Sequence, residues 1–577
     1  MVAEKFEQVF GRRKDDKDPF NDLIIPIVPN IGNNDILPHN IFSAGSNTWT
    51  MTYLDIWRTF IPEEQRHQFD QGGWFSVEVI PNHLHVFSLN SLYFFDNNAA
   101  VDGCSLRSEP GYRQLEWLRI RLQYLRERNM KAMLIGHVPP ARTADKQSWD
   151  ETCWQKYTLW MRQYRDVIVG SFYGHMNYDH FMLQDFEDID PALDEGYGIQ
   201  TAPGKPDEEV RTESAASYFT GLRDSWSTLP QRPRSVQALD SDERTMLADQ
   251  SDDARPDWEI EALVKGNKGK KGDHKKKKDP TKKVRKYLNK IGGEYGERYS
   301  VSHVSPSVVP NFFPTIRVYE YNITGLDRRR GSSAFAIGPS EESASDVAAS
   351  KKKKKHRKDK KKNKKRKKVR FNVPKPPSKS APPGPAYSPQ TLSLLGITQY
   401  YANLTRINND FVNTSGKREQ VETTSSDLKG QKWNEGKHKH HNGEKPKEDT
   451  GPHPTEFSFE VLYNTRGDDE YGLKDLTVRS YIELAQRIGK KVKSRKSEAE
   501  EVEEGSGAYE KEALSSQDGV SGTVPSIVAG DEKIDKEGQK KKKKHKGAKA
   551  NKYWIEFLRR AFCGARNTQE IRDQFGP

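Results

Sequence analysis

The sequence predicts an α/β fold, in which strands and helices alternate within one compact core. Two observations over residues 20–200 lead to this prediction. Short apolar segments of strand length are separated by longer segments whose apolar residues recur at helical spacing. Glycine directly follows several of the strand-like segments, as expected where a chain turns sharply at a sheet edge. The alternation favours an α/β or sandwich enzyme with functional side chains at the strand ends.

The first predicted elements are strands. Residues 23–28 form a short apolar run that leads into a loop rich in Gly and Asn, which suggests a buried strand. Residues 75–80 and 85–89 alternate in the manner of strands on either side of the turn at 81–82, so they are predicted to pair with each other.

Two helix–strand units follow. Residues 112–129 carry leucines at helical spacing with arginines on the opposite face, and the strand 131–135 comes next. Residues 152–165, rich in Trp and Tyr, are predicted as a second helix, and 166–172 as the strand after it. Further along, 317–321 is expected to be a strand and 476–488 an amphipathic helix.

The composition indicates that much of the remaining chain is disordered. Apolar residues make up 33% and charged residues 31% of the 577 residues, a low apolar share for a globular chain of this length. The predicted core is 1–200, with core-packing segments at 299–326, 387–413, 456–489 and 551–577. The predicted disordered insertions, rich in Lys, Glu, Ser, Gly and Pro, are 201–298, 327–386 (the Lys-rich one), 414–455 and 490–550. None of the short ordered segments is large enough to bury a core alone, so each is expected to pack on 1–200.

The net charge of +13 comes from one block of sequence. Residues 351–368 hold fifteen Lys or Arg and one Asp, which is +14 in total, so the rest of the chain sums to about −1. A contiguous block of like charge stays solvated and binds polyanions without specificity. We therefore expect no specific nucleic-acid partner, although a nuclear factor is the function that this block alone would suggest.

Cysteines and sequons point to an oxidising compartment. The chain has three cysteines and no CxxC pair, which argues against a zinc ribbon, and a Cys104–Cys153 disulfide would suit a lumenal or secreted protein. Sequons at Asn322, Asn403 and Asn413 are compatible with the same location.

Three loops that follow predicted strands carry side chains of the kind that bind metal ions: 32–35, 136–137 and 174–180. Hydrolysis of a phosphate ester or anhydride needs charge neutralisation and an activated water, and two divalent cations supply both. Imidazole, carboxylate and amide groups suit such ions. Each loop alone also fits an ordinary turn or a hydrogen-bonded loop histidine, but the three together predict a metal site.

These loops carry a family resemblance. Residues 29–35, followed by Pro38 and Asn40, resemble the Gly-Asn-His/Asn-Asp/Glu motif of calcineurin-like metallophosphoesterases. Residues 136–140 resemble the Gly-His-Ile/Val-Pro-Pro motif of the acid-sphingomyelinase branch, and 174–181 resemble its last motif in the variant of fungal endopolyphosphatases. The resemblance implies a metallophosphoesterase-type β-sandwich flanked by helices.

The resemblance also implies a set of metal ligands. Asn33, His137 and His175 would be ligands of the second of two divalent cations, or would bridge toward it. Asn177 takes the place where the superfamily usually has a histidine ligand of the first cation. The identity of the metal is left open.

The proton donor differs from the usual pattern of the superfamily. Asn34 takes the place of the histidine that protonates the leaving oxygen, and Asp35 that of the residue that orients this histidine. An amide cannot transfer a proton, so His39 or His180 is expected to do so. A phosphate leaving group needs less acid assistance than an alkoxide, which fits a phosphoanhydride substrate.

The motifs that open the superfamily's metal site, Asp-x-His and Gly-Asp-x-x-Asp, do not occur in residues 1–31, and 1–10 looks like an internal helix of the family. We therefore expect a shortened form of a longer protein, whose remaining part would carry a membrane anchor and place the enzyme at the lumenal face of the vacuole. The predicted function is an endopolyphosphatase that cleaves internal bonds of inorganic polyphosphate. The alternatives are a sphingomyelinase-like phosphodiesterase and a catalytically inactive polyanion-binding protein.

Overall fold

The computed structural model describes twelve stretches of the chain: 2–11, 23–143, 147–198, 214–233, 280–308, 311–326, 371–378, 382–407, 411–412, 432–433, 456–491 and 551–576. Its helices are α1 Val2–Phe10, α2 Thr48–Ile56, α3 Arg66–Gly72, α4 Pro110–Glu127, α5 Glu151–Gln163, α6 Pro191–Asp194, α7 Ala215–Ser227, α8 Pro280–Ile291, α9 Leu404–Ile407, α10 Val478–Gly489, α11 Lys552–Ala561 and α12 Thr568–Phe575. Its strands are β1 Phe75–Ile80, β2 Leu84–Ser88, β3 Lys131–Ile135, β4 Ile168–Tyr173, β5 His180–Asp185, β6 Tyr299–Val304, β7 Thr315–Tyr321, β8 Leu394–Tyr401, β9 Phe411–Val412, β10 Lys432–Trp433 and β11 Glu460–Asn464.

A six-stranded mixed sheet forms the centre of the molecule, with the order β1-β2-β3-β4-β6-β5. β1 and β2 form the predicted antiparallel hairpin. β2, β3, β4 and β6 run parallel, and β5 closes the sheet antiparallel to β6. Because the carboxyl ends of parallel strands meet at one edge, the loops after β3 and β4 lie side by side.

The helices α4 and α5 follow the apolar pattern of the sequence. The predicted leucine stripe of α4 is buried, at Leu115, Leu118, Leu122 and Leu125. Most of α5 is buried as well, and the indole of Trp160 donates a hydrogen bond of 2.9 Å to the carbonyl of Leu115. The two helices therefore pack against each other over the core.

A second, three-stranded antiparallel sheet has the order β11-β8-β7. It contacts the first sheet through aromatic rings: Tyr319 of β7 lies 4.7 Å from the ring of Phe172 on β4 and 5.6 Å from that of His303 on β6. The predicted α/β character is thus confirmed, with mixed helices and sheets and with strands that pair across large sequence separations.

The segments after residue 200 pack on the same core. Phe181 of β5 stacks on Trp226 of α7 at 4.8 Å and contacts Tyr481 of α10 and Phe557 of α11 at 4.7 and 6.3 Å. The side chains that form these contacts are aromatic, so short segments gain enough buried area to dock although each is too small to fold alone.

Two sequence predictions need correction. Residues 23–28 form no strand, only an isolated bridge from Leu23 to Gly11, because Ile24 and Ile25 are exposed and find no neighbouring strand to pair with. The range 201–298 was predicted to be wholly disordered, yet it contains α7 and α8, whose aromatic and aliphatic residues pack on α10 and α11. The other residues of the predicted insertions lie largely outside the described stretches, including 351–368.

Among the described residues, no helix combines the length and the apolar character needed to cross a membrane.

Candidate metal centre

The adjacent strands β3 and β4 bring His137 and His175 to one edge of the sheet. Ile135 of β3 pairs with Phe172 of β4, and the pairing continues past the strand ends. The amide of Gly136 donates to the carbonyl of Phe172 and that of Gly174 donates to the carbonyl of His137, both at 3.0 Å. The two Gly-His loops are therefore hydrogen-bonded to each other at the point where the chain leaves the sheet.

Three side-chain atoms converge at this edge. Asn33 Oδ1 lies 2.6 Å from His137 Nε2 and 3.0 Å from His175 Nδ1, and the two ring nitrogens lie 3.3 Å apart. Without a cation, both imidazoles can donate an N–H to the amide oxygen. With deprotonated ring nitrogens, the same three atoms present lone pairs to a common point.

The separation of the two ring nitrogens is compatible with two ligands of one divalent ion, whereas Asn33 Oδ1 lies at hydrogen-bond distance from both rings. Ligands placed at 2.0–2.1 Å around a tetrahedral ion lie about 3.3 Å from one another, close to the separation of the two ring nitrogens. Among the described residues no group of three or more His, Cys, Asp or Glu side chains is arranged to hold a metal. A cation here would therefore depend on the amide oxygen of Asn33 in addition to the two imidazoles.

The amide of Asn33 is held with its oxygen toward the imidazoles. Its Nδ2 donates to Asn40 Oδ1 at 2.9 Å and lies 3.0 Å from His39 Nε2. Asn33 is buried, with 5% of its surface exposed. Since Nδ2 faces Asn40 and His39, the oxygen is left to face His137 and His175.

His137 is fixed by a buried serine and by a glycine. The amides of His137 and Val138 both donate to Ser91 Oγ, at 2.9 and 2.8 Å. A Cβ at Gly32 would lie 3.1 Å from His137 Nδ1 and 2.9 Å from Asp35 Oδ2, so any side chain there would push the imidazole away. Burial lowers the pKa of His137 to about 4 although Asp35 opposes the shift, so the ring is neutral near pH 7 and suited to bind a metal.

The loop after β4 has an unusual backbone. His175 and Asn177 both have left-handed φ angles, 65° and 61°, although neither is glycine. Such conformations are kept only where surrounding structure holds them, and they cluster at functional sites. The ring of Phe95 packs edge-on against the imidazole of His175 at 5.2 Å. Asn177 itself is half-buried, two residues beyond His175.

A buried ion pair anchors the far end of this loop. The carboxylate of Asp179 binds the guanidinium of Arg317 and accepts a hydrogen bond of 2.5 Å from Tyr463, and its amide donates to the carbonyl of Ala561. Asp179 is four residues from His175, so β7, β11 and the C-terminal helix α11 all contribute to the placement of the loop.

The predicted acid–base residues fall into two groups. Asn34, Asp35 and His39 are exposed beside the three converging atoms, and His39 Nε2 contacts Asn34 Oδ1. Asp35 accepts the amide N–H of Gly32 at 2.8 Å. His180 instead lies in the protein interior, where its Nε2 is 2.9 Å from the hydroxyl of Tyr218 and its Nδ1 is 3.1 Å from the carbonyl of Tyr178. The exposed imidazole beside the centre is therefore that of His39.

Some residues of the site were not assigned a role from the sequence. Asn40 belongs to the pattern that follows residues 29–35, so the sequence did indicate it. For Ser91 and Arg317 the sequence carries no signal, because a serine after a strand and an arginine within one are common and their partners are distant along the chain.

The remaining predicted positions lie away from the centre. The sulfur atoms of Cys104 and Cys153 form a disulfide. Asn322 is half-buried and accepts the N–H of Thr324, whereas Asn403 is only 8% exposed and accepts the N–H of Arg406 at 3.1 Å. Asn413 lies outside the described residues.

Comparison with known proteins gives close relatives. The chain is 43% identical over 530 residues to an endopolyphosphatase of Neurospora crassa, an alignment that covers 87% of this chain and 65% of the relative. It is 33% identical over 505 residues to an endopolyphosphatase of Candida glabrata and 30% identical over 511 residues to one of Saccharomyces cerevisiae, and covers 68% of each. No protein-family model matches the chain. The chain thus spans about two thirds of the length of these relatives.

Proposed function

The chain belongs to the fungal endopolyphosphatase family, and from this membership we propose that it hydrolyses internal phosphoanhydride bonds of inorganic polyphosphate. The observation that carries the proposal is the convergence of Asn33 Oδ1, His137 Nε2 and His175 Nδ1 at the edge of the sheet. This arrangement suits a divalent cation, and divalent cations neutralise phosphate oxygens and activate water.

Each residue of the centre has a proposed role. Asn33, His137 and His175 hold one divalent cation, and Asn177 contributes to a second. Asn40 and Ser91 position these ligands through the Asn33 amide and the His137 backbone. His39, exposed beside the centre, supplies a proton to the leaving phosphate. Asp35 shapes the loop by binding the amide of Gly32.

The two contacting sheets support a further proposal on the fold. The six-stranded and three-stranded sheets meet through Phe172, His303 and Tyr319. We propose that they are the two layers of a metallophosphoesterase β-sandwich.

The proposed location is the lumen of the vacuole, with glycosylation at Asn322, which is half-buried and precedes three exposed residues. The disulfide between Cys104 and Cys153 supports an oxidising compartment over the cytosol. Localisation of a tagged chain, together with a mobility shift on glycosidase treatment that is lost in Asn322→Gln, tests both parts.

The activity is tested on long polyphosphate chains with divalent metal present, with the products separated by gel electrophoresis. Internal cleavage produces fragments of intermediate length before free phosphate accumulates. His137→Ala and His175→Ala should abolish cleavage and lower the bound metal, while His67→Ala, which changes an exposed histidine on α3, should leave both unchanged.

Two outcomes would contradict the proposal. Hydrolysis of a phosphodiester with no cleavage of polyphosphate would favour the sphingomyelinase-like alternative. Tight binding of polyphosphate with no cleavage by the metal-loaded chain would favour a polyanion-binding protein.

A further inference from the structure

The outer face of α8 is a row of cations. Lys282, Lys283, Arg285, Lys286 and Lys290 are all exposed, and the helix contains no acidic residue. Its other face is apolar and buried: Val284, Tyr287 and Ile291 are 6%, 3% and 0% exposed. We call the five exposed cations the α8 basic face.

The α8 basic face is electrostatically unfavourable by itself. Several of its members lie three or four positions apart, where like charges on a helix repel each other. Lys282 and Lys283 also lie in the first turn, where positive charge opposes the helix dipole. Within the stretches that the structure describes, none of the five side chains has a carboxylate partner. An anion bound along this face would relieve the repulsion.

The way α8 is packed decides what kind of anion fits. Tyr287 accepts a hydrogen bond of 3.3 Å from Gln486 of α10, and the guanidinium of Arg479 lies 5.8 Å from its ring. The apolar face is thus committed to the core. A helix that inserts into a bilayer does so with its apolar face, which α8 cannot present, so α8 offers a partner only its row of charges.

The distance between α8 and the metal centre sets a minimum length for a polyanion that contacts both. The carbonyl of Ile291 accepts the N–H of Arg298 at 3.1 Å, just before β6 begins. Because β6 runs parallel to β4, this end of α8 lies by the start of β4, whereas His175 follows its other end. The six residues of β4, at about 3.3 Å each, separate these edges by about 20 Å.

We propose that the α8 basic face is a remote docking surface for the polyphosphate chain. This inference rests on the proposed function, since it assigns the bound polyanion to the substrate of the metal centre. A long chain can contact α8 while an internal bond lies at the metal centre, whereas a chain of three phosphates cannot reach both. The surface would thereby favour long polyphosphate chains and would place an internal bond of such a chain at the metal centre.

Residue-resolved labelling of the 577-residue chain provides the first test. The rate of lysine acetylation is measured by mass spectrometry with no polyphosphate, with a three-phosphate chain, and with a long chain. We expect the long chain to slow labelling of Lys282, Lys283, Lys286 and Lys290 several-fold more than that of Lys5, Lys375 and Lys474, which are exposed lysines elsewhere. Equal slowing of both sets, or protection by anionic vesicles in place of polyphosphate, would overturn the inference.

A kinetic comparison separates the docking surface from the activity. In one variant all five cations of the α8 basic face become Gln. In the control variant, with the same change of net charge, Lys5, Arg113, Arg128, Lys375 and Lys474 become Gln. We expect the first variant alone to raise KM for long chains, with kcat and the cleavage of short chains unchanged.

The results distinguish the two proposals. An unchanged KM for long chains in the α8 variant would overturn the docking surface while the endopolyphosphatase activity stands. Selective protection of the α8 lysines in a protein that cleaves no polyphosphate would support the docking surface and contradict the proposed function.

Discussion

Asp179 and Arg317 form an ion pair in the protein interior, with side chains 8% and 5% exposed, four residues beyond the candidate ligand His175. The same carboxylate accepts the hydroxyl of Tyr463, 284 residues away in sequence. The loop of the candidate metal centre is therefore held by Arg317 and Tyr463, which both come from the second half of the chain.

Arg317→Met should destabilise the fold strongly. The change leaves the carboxylate of Asp179 buried without its counter-ion, which costs about 3–5 kcal/mol of the free energy of unfolding. Chemical unfolding measures the loss. Arg466→Gln is the matched control, because Arg466 pairs with Glu320 at the surface, with 52% and 40% exposed side chains, and such pairs contribute less than about 1 kcal/mol. Equal losses in both variants would contradict a structural role for the buried pair.

Asn40→Gly should weaken metal binding without abolishing it. Asn40 accepts the Nδ2–H of Asn33 at 2.9 Å, so its loss frees the amide that faces the two imidazoles. Loss of a residue that orients a ligand typically lowers metal affinity about 10–100-fold. Glycine avoids backbone strain, because Asn40 has a φ of 70°. Titration with a divalent metal measures the affinity, and Asn40→Asp, which keeps the acceptor, should retain it. A loss of affinity in the aspartate variant equal to that in the glycine variant would show that the acceptor is not what matters.

Loss of the disulfide should lower stability. Cys104 and Cys153 are 49 residues apart, and the link restricts the unfolded chain, so replacing both by Ser should cost about 2–4 kcal/mol. The measurement is the unfolding free energy with and without a reductant. Reductant should destabilise the wild-type protein and have no effect on the double variant, in which only the buried thiol of Cys563 remains. A wild-type protein whose stability does not respond to reduction would contradict this expectation.

His303→Phe should make the protein less sensitive to acid. Burial, assisted by Arg317, lowers the pKa of His303 to about 3 in the folded state from about 6.5 in the unfolded chain. The unfolded chain therefore binds the proton more readily, and stability declines as pH falls from 6.5 toward 3, by up to about 1.4 kcal/mol per pH unit. Phenylalanine keeps the ring packing against Phe172 and Tyr319 without this proton.

Unfolding free energies at pH 7 and pH 5 test the histidine prediction. The phenylalanine variant should lose less stability between the two values than the wild-type protein. The control His67→Gln, at an exposed position, should lose as much as the wild-type protein. If His303→Phe also loses that much, another group is responsible for the acid sensitivity.

Local patterns in the sequence were sufficient to predict several helices and strands of the core. The hairpin β1–β2, the helices α4 and α5, and the strands β3 and β4 were all predicted within a few residues, since each has its own hydrophobic period. Residues 23–28 show the limit of this approach. An apolar run of strand length forms a strand only if a partner strand lies beside it, and the run itself does not specify one.

Low apolar content also led to a wrong prediction of disorder for segments that pack through a few aromatic residues. Residues 201–298 are polar on average, yet Trp226 of α7 and Tyr287 of α8 are buried against Phe181 and Gln486. An average over the range hides two short amphipathic helices, whose stability comes from contacts with other segments of the chain.

Local sequence was sufficient to predict the elements from β1 to β4 and the kinds of side chain that follow their ends, because both depend on short-range periodicity and motif. The contacts of Asn33 with His137 and His175, across 104 and 142 residues, could be known only from the folded chain. The same holds for the position of His39 beside Asn33 and for the burial of His180 with Tyr218. These contacts depend on strand order, register and long-range packing. These are collective properties of the folded chain, and no local segment contains them.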